Sequence, residues 1–353
     1  MSETKHERPG VYSVYDASAV VSAGRGSKTV GVAAKAVRGT VGEVVLLTGY
    51  AAGVAAFGED STPGMSTILR LLFSNGAATV AAVRVADTGT TEDYETAFAA
   101  LGKWEAQILV CDSSVTAVQQ ALRSAVETAS GQRRERIAVV GGDGDTAAEL
   151  VTRAAALNSE RVALVGPDVL DSAGETLPGV FAAAALAGVL ANGGDPAVPL
   201  NGAELTGLGG LAEDYGDNDI DLLVRGGVTP LESVSGVISP VRGITTRTTT
   251  GGVADATWRE LTTILIVDDI IPTLRTALRS RFARAKNTAR GRSAIRSQVI
   301  VELEKKVAAE IIESYGDVTV TASAEDPTVC VVEFSFAVAH GLNQIYLTVH
   351  ITV

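Results

Sequence analysis

The chain has 353 residues, with 29 Lys+Arg against 41 Asp+Glu, a formal net charge of -12, and only 2 Cys and 3 His. At 46% hydrophobic and 20% charged it has the composition of a globular protein long enough for two or three domains. No apolar run reaches the roughly 18 residues of a bilayer span, residues 1–8 lack the apolar core of a secretory signal, and Cys111 and Cys330 are too few for a disulfide framework or a zinc cage. Neither membrane insertion nor secretion is expected, and a reducing cytoplasmic folding environment is. His6, His340 and His350 leave little for His-based catalysis.

From the N-terminus, Pro9, Gly10, Val11, Tyr12, Ser13, Val14 and Tyr15 form a strand-like run with a Pro-Gly start. A lone strand needs an edge to pair with. From Thr29 onward strands and helices alternate. Strands are predicted over Thr29–Ala34, Val44–Leu47, 80–85, Ile108–Cys111, 137–140 and 162–165, and helices over 66–73, 115–129 and Ala147–Leu157. Near-continuous apolar strands separated by helices indicate a mostly parallel sheet covered on both faces. Residues 181–190 read as a buried Ala-rich helix ended by Asn192, Gly193 and Gly194.

Residues 191–255 are rich in Gly, Pro, Asn and Thr, the stretch 245–252 reads as an exposed loop, and the main domain boundary is placed near Val241. Beyond it, 261–267 reads as a strand, Asp269 as a helix N-cap and Pro272 as a first-turn residue. Leu274, Leu278 and Phe282 then form one apolar stripe. A second helix is predicted over 297–314, with Ile300, Leu303, Val307 and Ile311 in line. Strands follow at Val318 and Val320, at Val332, Phe334, Phe336 and Val338, and at Ile345, Leu347, Val349, Ile351 and Val353, where the period of two runs to the last residue. Strand-like segments at both ends can pair within the chain or add to the sheet of another subunit, and pattern alone leaves both open.

The charge is unevenly spread. Residues 241–353 hold 13 Lys+Arg and 12 Asp+Glu, whereas residues 1–240 stand at -13. Within the last third, Arg275, Arg279, Arg281, Arg284, Lys286, Arg290, Arg292 and Arg296 follow one another with no acid between. Such a run is either a solvated face or the mark of an acidic partner. The overall acidity argues against a nucleic-acid binder.

Motifs for chemistry fail individually. Gly141, Gly142, Asp143, Gly144 and Asp145 follow a strand and precede a helix, where a dinucleotide fold holds phosphate, but the two carboxylates would repel it. The Gly24–Thr29 stretch has the Lys-Thr of a phosphate loop without the Gly before the Lys, and precedes a strand. Asp268 and Asp269 fit helix capping better than metal ligation. No catalytic, metal or cofactor residue is assigned. The rival reading is an α/β nucleotide-binding enzyme with a C-terminal dimerisation domain.

The order of several short segments is similar to that of the contractile tail sheath proteins of phages, phage-tail-like bacteriocins and related injection systems. They are Arg8-Pro9-Gly10-Val11-Tyr12, Gly31 to Gly39, Phe57-Gly58, Phe73-Ser74-Asn75-Gly76, 80–85, Ala187-Gly188, Gly226-Gly227-Val228, Arg242 to Thr246, Ile266 to Ile270 and Ile345-Tyr346-Leu347. Each is a few residues of common types, but they run collinearly over nearly the whole chain. Over residues 86–180 the likeness rests on the β/α alternation.

The resemblance implies a non-enzymatic subunit without cofactors, built as an α/β N-terminal domain with a mostly parallel sheet, an α+β C-terminal domain and extended strand arms. The divisions are 1–20 (N-terminal arm), 21–240 (outer domain), 241–340 (inner domain) and 341–353 (C-terminal strand). It implies stacked six-membered rings around an inner tail tube protein, assembly in the bacterial cytoplasm, and incorporation with baseplate and tail-terminator proteins into a virion tail or released particle. Pro9, Gly10, Val11, Tyr12 and Val14 of one arm, and Ile345, Tyr346, Leu347, Val349 and Ile351 of the other, are the strand-exchange candidates. The inner domain of such proteins lines the tube, which makes Arg284, Lys286, Arg290 and Arg292 the tube-facing candidates.

Overall fold

Short apolar runs with β-branched residues, each bounded by turn residues, build the strands of a central sheet, and the polar-apolar segments between them build its helices. The computed structural model describes residues 28–343. The strand-exchange candidates Pro9 to Val14 and Ile345 to Ile351 lie outside the described residues. The described chain divides into two compact units, one of residues 28–194, 198–261 and 340–343, the other of residues 195–197 and 262–339.

In the first unit the elements run β1 (Thr29–Ala34), β2 (Val44–Leu47), α1 (Tyr50–Phe57), α2 (Met65–Ser74), β3 (Thr79–Arg84), α3 (Thr91–Leu101), β4 (Ile108–Cys111), α4 (Thr116–Gly131), β5 (Ile137–Gly141), α5 (Ala147–Leu157) and β6 (Val162–Gly166). Then come β7 (Val169–Leu170), β8 (Thr176–Leu177), α6 (Gly179–Asn192), β9 (Gly210–Leu211), α7 (Asp217–Arg225), β10 (Thr229–Val234), β11 (Val237–Pro240), β12 (Thr249–Thr250) and β13 (Val253–Ala254). The main sheet has 8 strands in the order β11-β10-β6-β5-β4-β1-β3-β2. All neighbours are parallel except the two edge strands, β2 on β3 and β11 on β10. The mixed α/β architecture with a largely parallel sheet is the one the alternation predicts.

Register explains how both faces are filled. Ala33 pairs with Val83 on one side and Cys111 on the other. These three share a buried cluster with Leu109, Ala138, Val140, Val162 and Leu164, packed under Tyr94, Phe98 and Leu101 of α3, Leu122 and Val126 of α4, and Leu150 and Leu157 of α5. The intervening residues Val32, Ala82, Val110, Val139 and Ala163 are equally buried and point to the opposite face. There α6, with 12 of its residues buried, lies along β4, β5 and β6 and against α2. Small alanines let α6 lie close to the sheet.

The stretch 245–252 differs from its expected exposure. Thr245 and Thr246 are fully buried. Thr245 Oγ1 donates to the Trp258 carbonyl at 2.6 Å and Thr246 Oγ1 to the Ser159 carbonyl at 3.0 Å, so the threonines replace missing ladder partners along the sheet margin. Only the hairpin of β12 and β13, turned by Gly251 and Gly252, is exposed.

The second unit contains α8 (Leu261–Phe282, beginning one residue earlier), α9 (Ala289–Val307), β14 (Ile312–Tyr315), β15 (Thr319–Ala322), β16 (Cys330–Glu333) and β17 (Phe336–Val338). Three expectations are corrected here. Residues 261–267 are the first two turns of α8, so Asp269 is not an N-cap and Pro272 lies inside a 22-residue helix. A short apolar β-branched run is compatible with either state, and here Ile264, Ile266, Val267 and Ile270 are all buried within the helix α8. The second helix starts eight residues earlier than predicted, at Ala289, capped by Thr288 Oγ1 accepting from Gly291 N at 3.1 Å. It ends at Val307, before Glu310 turns left-handed (φ 56) and the chain enters β14. The strand predicted over Val332, Phe334, Phe336 and Val338 also breaks at Phe334 and Ser335, so that β16 pairs with β15 and β17 with β14. Across the helix pair, Lys306 Nζ lies 3.5 Å from Asp269 Oδ2, and burial pulls the lysine pKa down.

Leu122 is fully buried between α4 and the sheet. Leu122→Ala is expected to cost about 2–5 kcal/mol and to lower the melting temperature of the sheet unit by about 5–15 °C, read by thermal denaturation followed by circular dichroism.

Candidate functional site

Parallel strands deliver α3, α4 and α5 to the same sheet edge, the carboxyl edge where open α/β folds hold ligands. Each helix N-terminus there carries unpaired N–H groups and a partial positive charge. At α3 and α5 the protein's own carboxylates take those positions, whereas α4 starts after Val115 with no side-chain cap and no acid in its first turn. At α3, Thr90 Oγ1 accepts from Asp93 N at 3.2 Å while Asp93 Oδ2 accepts from Thr90 N at 2.8 Å. At α5, Thr146 and Glu149 repeat the arrangement at 3.4 and 2.9 Å. These bonds to hydroxyl and backbone hold the Asp93 and Glu149 carboxyls below their ordinary pKa.

The Gly141–Asp145 turn is closed in the same way. Asp168 accepts from Gly144 N at 2.7 Å and from Gly179 N at 2.8 Å, so a carboxylate occupies the place where a phosphate would bind. Burial raises the Asp168 pKa despite those two donors, with Asp143 and Asp145 adding to the rise. Gly141 cannot bear a side chain, since a Cβ would fall 2.0 Å from the Gly179 carbonyl carbon; α6 is pressed directly on the turn. Asp145 is paired with Arg153 at 2.7 Å, both largely shielded, and Arg153 Nη1 also donates to the Ser114 carbonyl at 2.5 Å. Between β1 and β4, where the strand order reverses, Asp112 accepts from Tyr94 Oη at 2.5 Å and from Lys35 N at 2.8 Å, and burial raises its pKa. The sequence gives the two acids of the turn; Asp168, 23 residues beyond Asp145, is the missed partner, signalled only by its place after Gly166 and Pro167.

The basic candidates converge elsewhere, on the connection between α8 and α9. Arg279 and Arg281 lie in the last turn of α8, Arg284 and Lys286 in the loop, and Arg290 and Arg292 at the start of α9. All are exposed except Arg292, which is half-buried. Among the described residues Arg284, Lys286 and Arg290 form no salt bridge. Arginines at the end of α8 suit the helix dipole, but Arg290 and Arg292 stand at the positive end of α9, with no acid in its first turn. The structure thus gathers one sign of charge where local electrostatics disfavours it, a geometry that favours an anionic partner.

Two family descriptions match the chain in order. "Phage tail sheath protein central domain" covers residues 87–246 and "Phage tail sheath C-terminal domain" covers residues 253–352. The "Tail sheath protein" of Bacillus phage SP01 is 31% identical over 251 residues, 69% of this chain and 42% of the relative, so the match spans less than half of that protein. Among solved structures, the helical sheath of the anti-feeding prophage in its contracted state superposes with a TM-score of 0.74 at 16% identity, over 98% of this chain and 99% of that one. The sheath tail protein of Desulfitobacterium hafniense gives 0.71 at 13% identity, over 94% and 100%. With both sheath descriptions matched in sequence over most of its length, and the fold matched from end to end, the chain belongs to the phage tail sheath family.

Proposed function

We propose that the protein is the structural subunit of a contractile sheath, polymerising as stacked hexameric rings around an inner tube and shortening to drive that tube through a target envelope. The observation that carries this reading is the paired match to both sheath descriptions. On this reading residues 21–240 form the outer domain and 241–340 the inner one. Residues 1–20 and 341–353 are arms that add strands to the sheets of neighbouring subunits. The partners are other copies, the tube protein, and baseplate and tail-terminator proteins, with assembly in the bacterial cytoplasm.

Two features of the second unit support strand exchange. Its β14–β17 and β15–β16 sheets have only two strands each among the described residues, and two-stranded ribbons are marginal alone and gain from an added strand. Their residues are mostly half-buried or exposed, as sheets short of a covering partner would be. A repeated contact between unlike surfaces that does not close on itself generates a helix. Work would then come from the difference between two lattice packings, with no nucleotide consumed. The family is a structural one, and the carboxylate-filled sheet edge supports a non-enzymatic reading over a nucleotide-binding enzyme.

The basic tip of α8 and α9 is the proposed tube contact, through Arg284, Lys286, Arg290 and Arg292. Exposed charge pairs contribute below about 1 kcal/mol each, which suits a contact that must be released.

Deleting residues 1–15 or 344–353 should leave a folded monomer that no longer forms tubes in electron micrographs, and normal tubes from either truncation would reject the arms. Reversing Arg284, Lys286 and Arg290 to Glu should abolish co-sedimentation with the inner tube while leaving self-assembly intact; unchanged co-sedimentation removes this face from the tube contact. Titration calorimetry with ATP or NAD should give no saturable heat, and a binding isotherm would revive the enzyme reading.

A further inference from the structure

The loop that carries the basic tip is held by one side chain. Asn287 Nδ2 donates to the Pro327 carbonyl at 2.9 Å and to the Val329 carbonyl at 3.0 Å, while its Oδ1 accepts from Arg292 Nη1 at 3.0 Å. Both amide hydrogens are thus spent on the turn between β15 and β16, and the amide oxygen fixes the first-turn arginine of α9. That turn is itself ordered: Asp326 Oδ1 accepts from Thr328 N at 2.8 Å and from Thr328 Oγ1 at 2.6 Å, and Val329 N donates to the Asp326 carbonyl at 3.0 Å.

A second, independent feature fixes the same loop. A Cβ at Gly291 would come within 2.6 Å of the Lys286 carbonyl oxygen, so the first turn of α9 packs directly on the backbone of the loop. Thr288 closes the arrangement, its N donating to the Lys286 carbonyl at 2.9 Å. Lys286 and its neighbours therefore have one backbone course although their side chains are exposed. Six nearby cations repel one another, and without a clamp the loop would spread to lower that repulsion.

We infer that Asn287 is a positioning residue for the basic tip: it pins the α8–α9 loop to the β15–β16 turn and so presents Arg284, Lys286 and Arg292 as one preformed surface to an acidic partner. This rests on the reading of the tip as the tube contact. Preorganisation matters because ordering a flexible loop upon binding would oppose association. The clamp also ties the charged contact to one of the two-stranded sheets proposed to accept a neighbour's strand. A strand added at β16 would thereby reach the tip through a single side chain.

The test uses the full chain with Asn287→Ala, which keeps every charge, and Gly291→Ala, which displaces the loop from the other side. Trypsin cleaves after Arg284 and Lys286, so cleavage there in the unassembled protein reports the clamp directly. Both variants should be cut about five- to tenfold faster than wild type, as expected for losing about 1–1.4 kcal/mol of local stability, with the melting temperature of the whole chain little changed. Co-sedimentation with the inner tube should weaken by a similar factor, while its dependence on salt stays as in wild type, because the charges remain. The Glu reversals, in contrast, should abolish the co-sedimentation itself. Unchanged cleavage in Asn287→Ala overturns the clamp. Faster cleavage with wild-type tube binding overturns the positioning role. Wild-type protein that does not bind the tube at all overturns the tube reading, and the role of Asn287 in presenting the tip falls with it.

Discussion

Parallel strands joined by helices bring helix N-termini to one edge of a sheet, and the partial positive charge collected there has to be met by an anion or by water. In many α/β proteins that requirement is left for a ligand. Here it is met internally, by Asp93 at α3, Glu149 at α5, and Asp168 bridging the Gly141–Asp145 turn and α6. This one constraint accounts for much of the sheet unit. It fixes where α6 enters, why Gly141 must stay a glycine, and why half-buried Arg153 is aimed at Asp145. It also gives part of the acidic charge a structural role: some carboxylates of the first 240 residues are caps.

Opposite logic governs the helix pair. The sheet unit places acids at the N-termini of α3, α5 and α7, whereas α9 begins with Arg290 and Arg292 and no acid. Each such cation costs a few tenths to about 1 kcal/mol at the positive end of a helix. Thr288 supplies a neutral cap in place of a carboxylate, so the helix start is formed without neutralising the patch. Carboxylates settle the starts of α3, α5 and α7, while α9 starts with a neutral cap beside its arginines, and on the proposed reading this leaves that charge available for a contact.

How much of this can be read in the sequence depends on whether a feature is local. Strand β4 and helix α5 match their predicted limits, because a short apolar run, or a Thr-x-x-Glu start followed by an apolar stripe, is decided by neighbours in sequence. The β-branched run 261–267 is compatible with a strand, yet it forms the buried start of α8. Thr245 and Thr246 look like a polar loop because their partners, Trp258 and Ser159, lie 13 and 87 residues away. The basic run is visible in one dimension, but Asn287 is not. Its partners at Pro327 and Val329 are 40 and 42 residues distant, and a lone Asn before a helix is indistinguishable from an ordinary turn residue.

On the proposed reading as a contractile sheath subunit, the division of forces fits a part that must change packing without coming apart. Contacts to be released during contraction cannot each be strong, and exposed charge pairs, screened over about 8–10 Å at physiological salt, meet that condition. Linkages that must persist cannot depend on screening. Backbone ladders meet the second condition, since each added strand contributes several hydrogen bonds of about 0.5–1.5 kcal/mol net, made or lost together. On the proposed reading, the two-stranded sheets of the second unit offer edges for the lasting linkage, and the tip of α8 and α9 offers charge for the transient one. Asn287 joins the two, because its amide bonds the turn of one such sheet and the arginine of the tip at once. A rearrangement that shifts β15 and β16 would therefore move the loop and loosen the charged contact in the same step. On the proposed reading, release of the tube contact then follows from sheet movement, with no separate trigger at the contact itself.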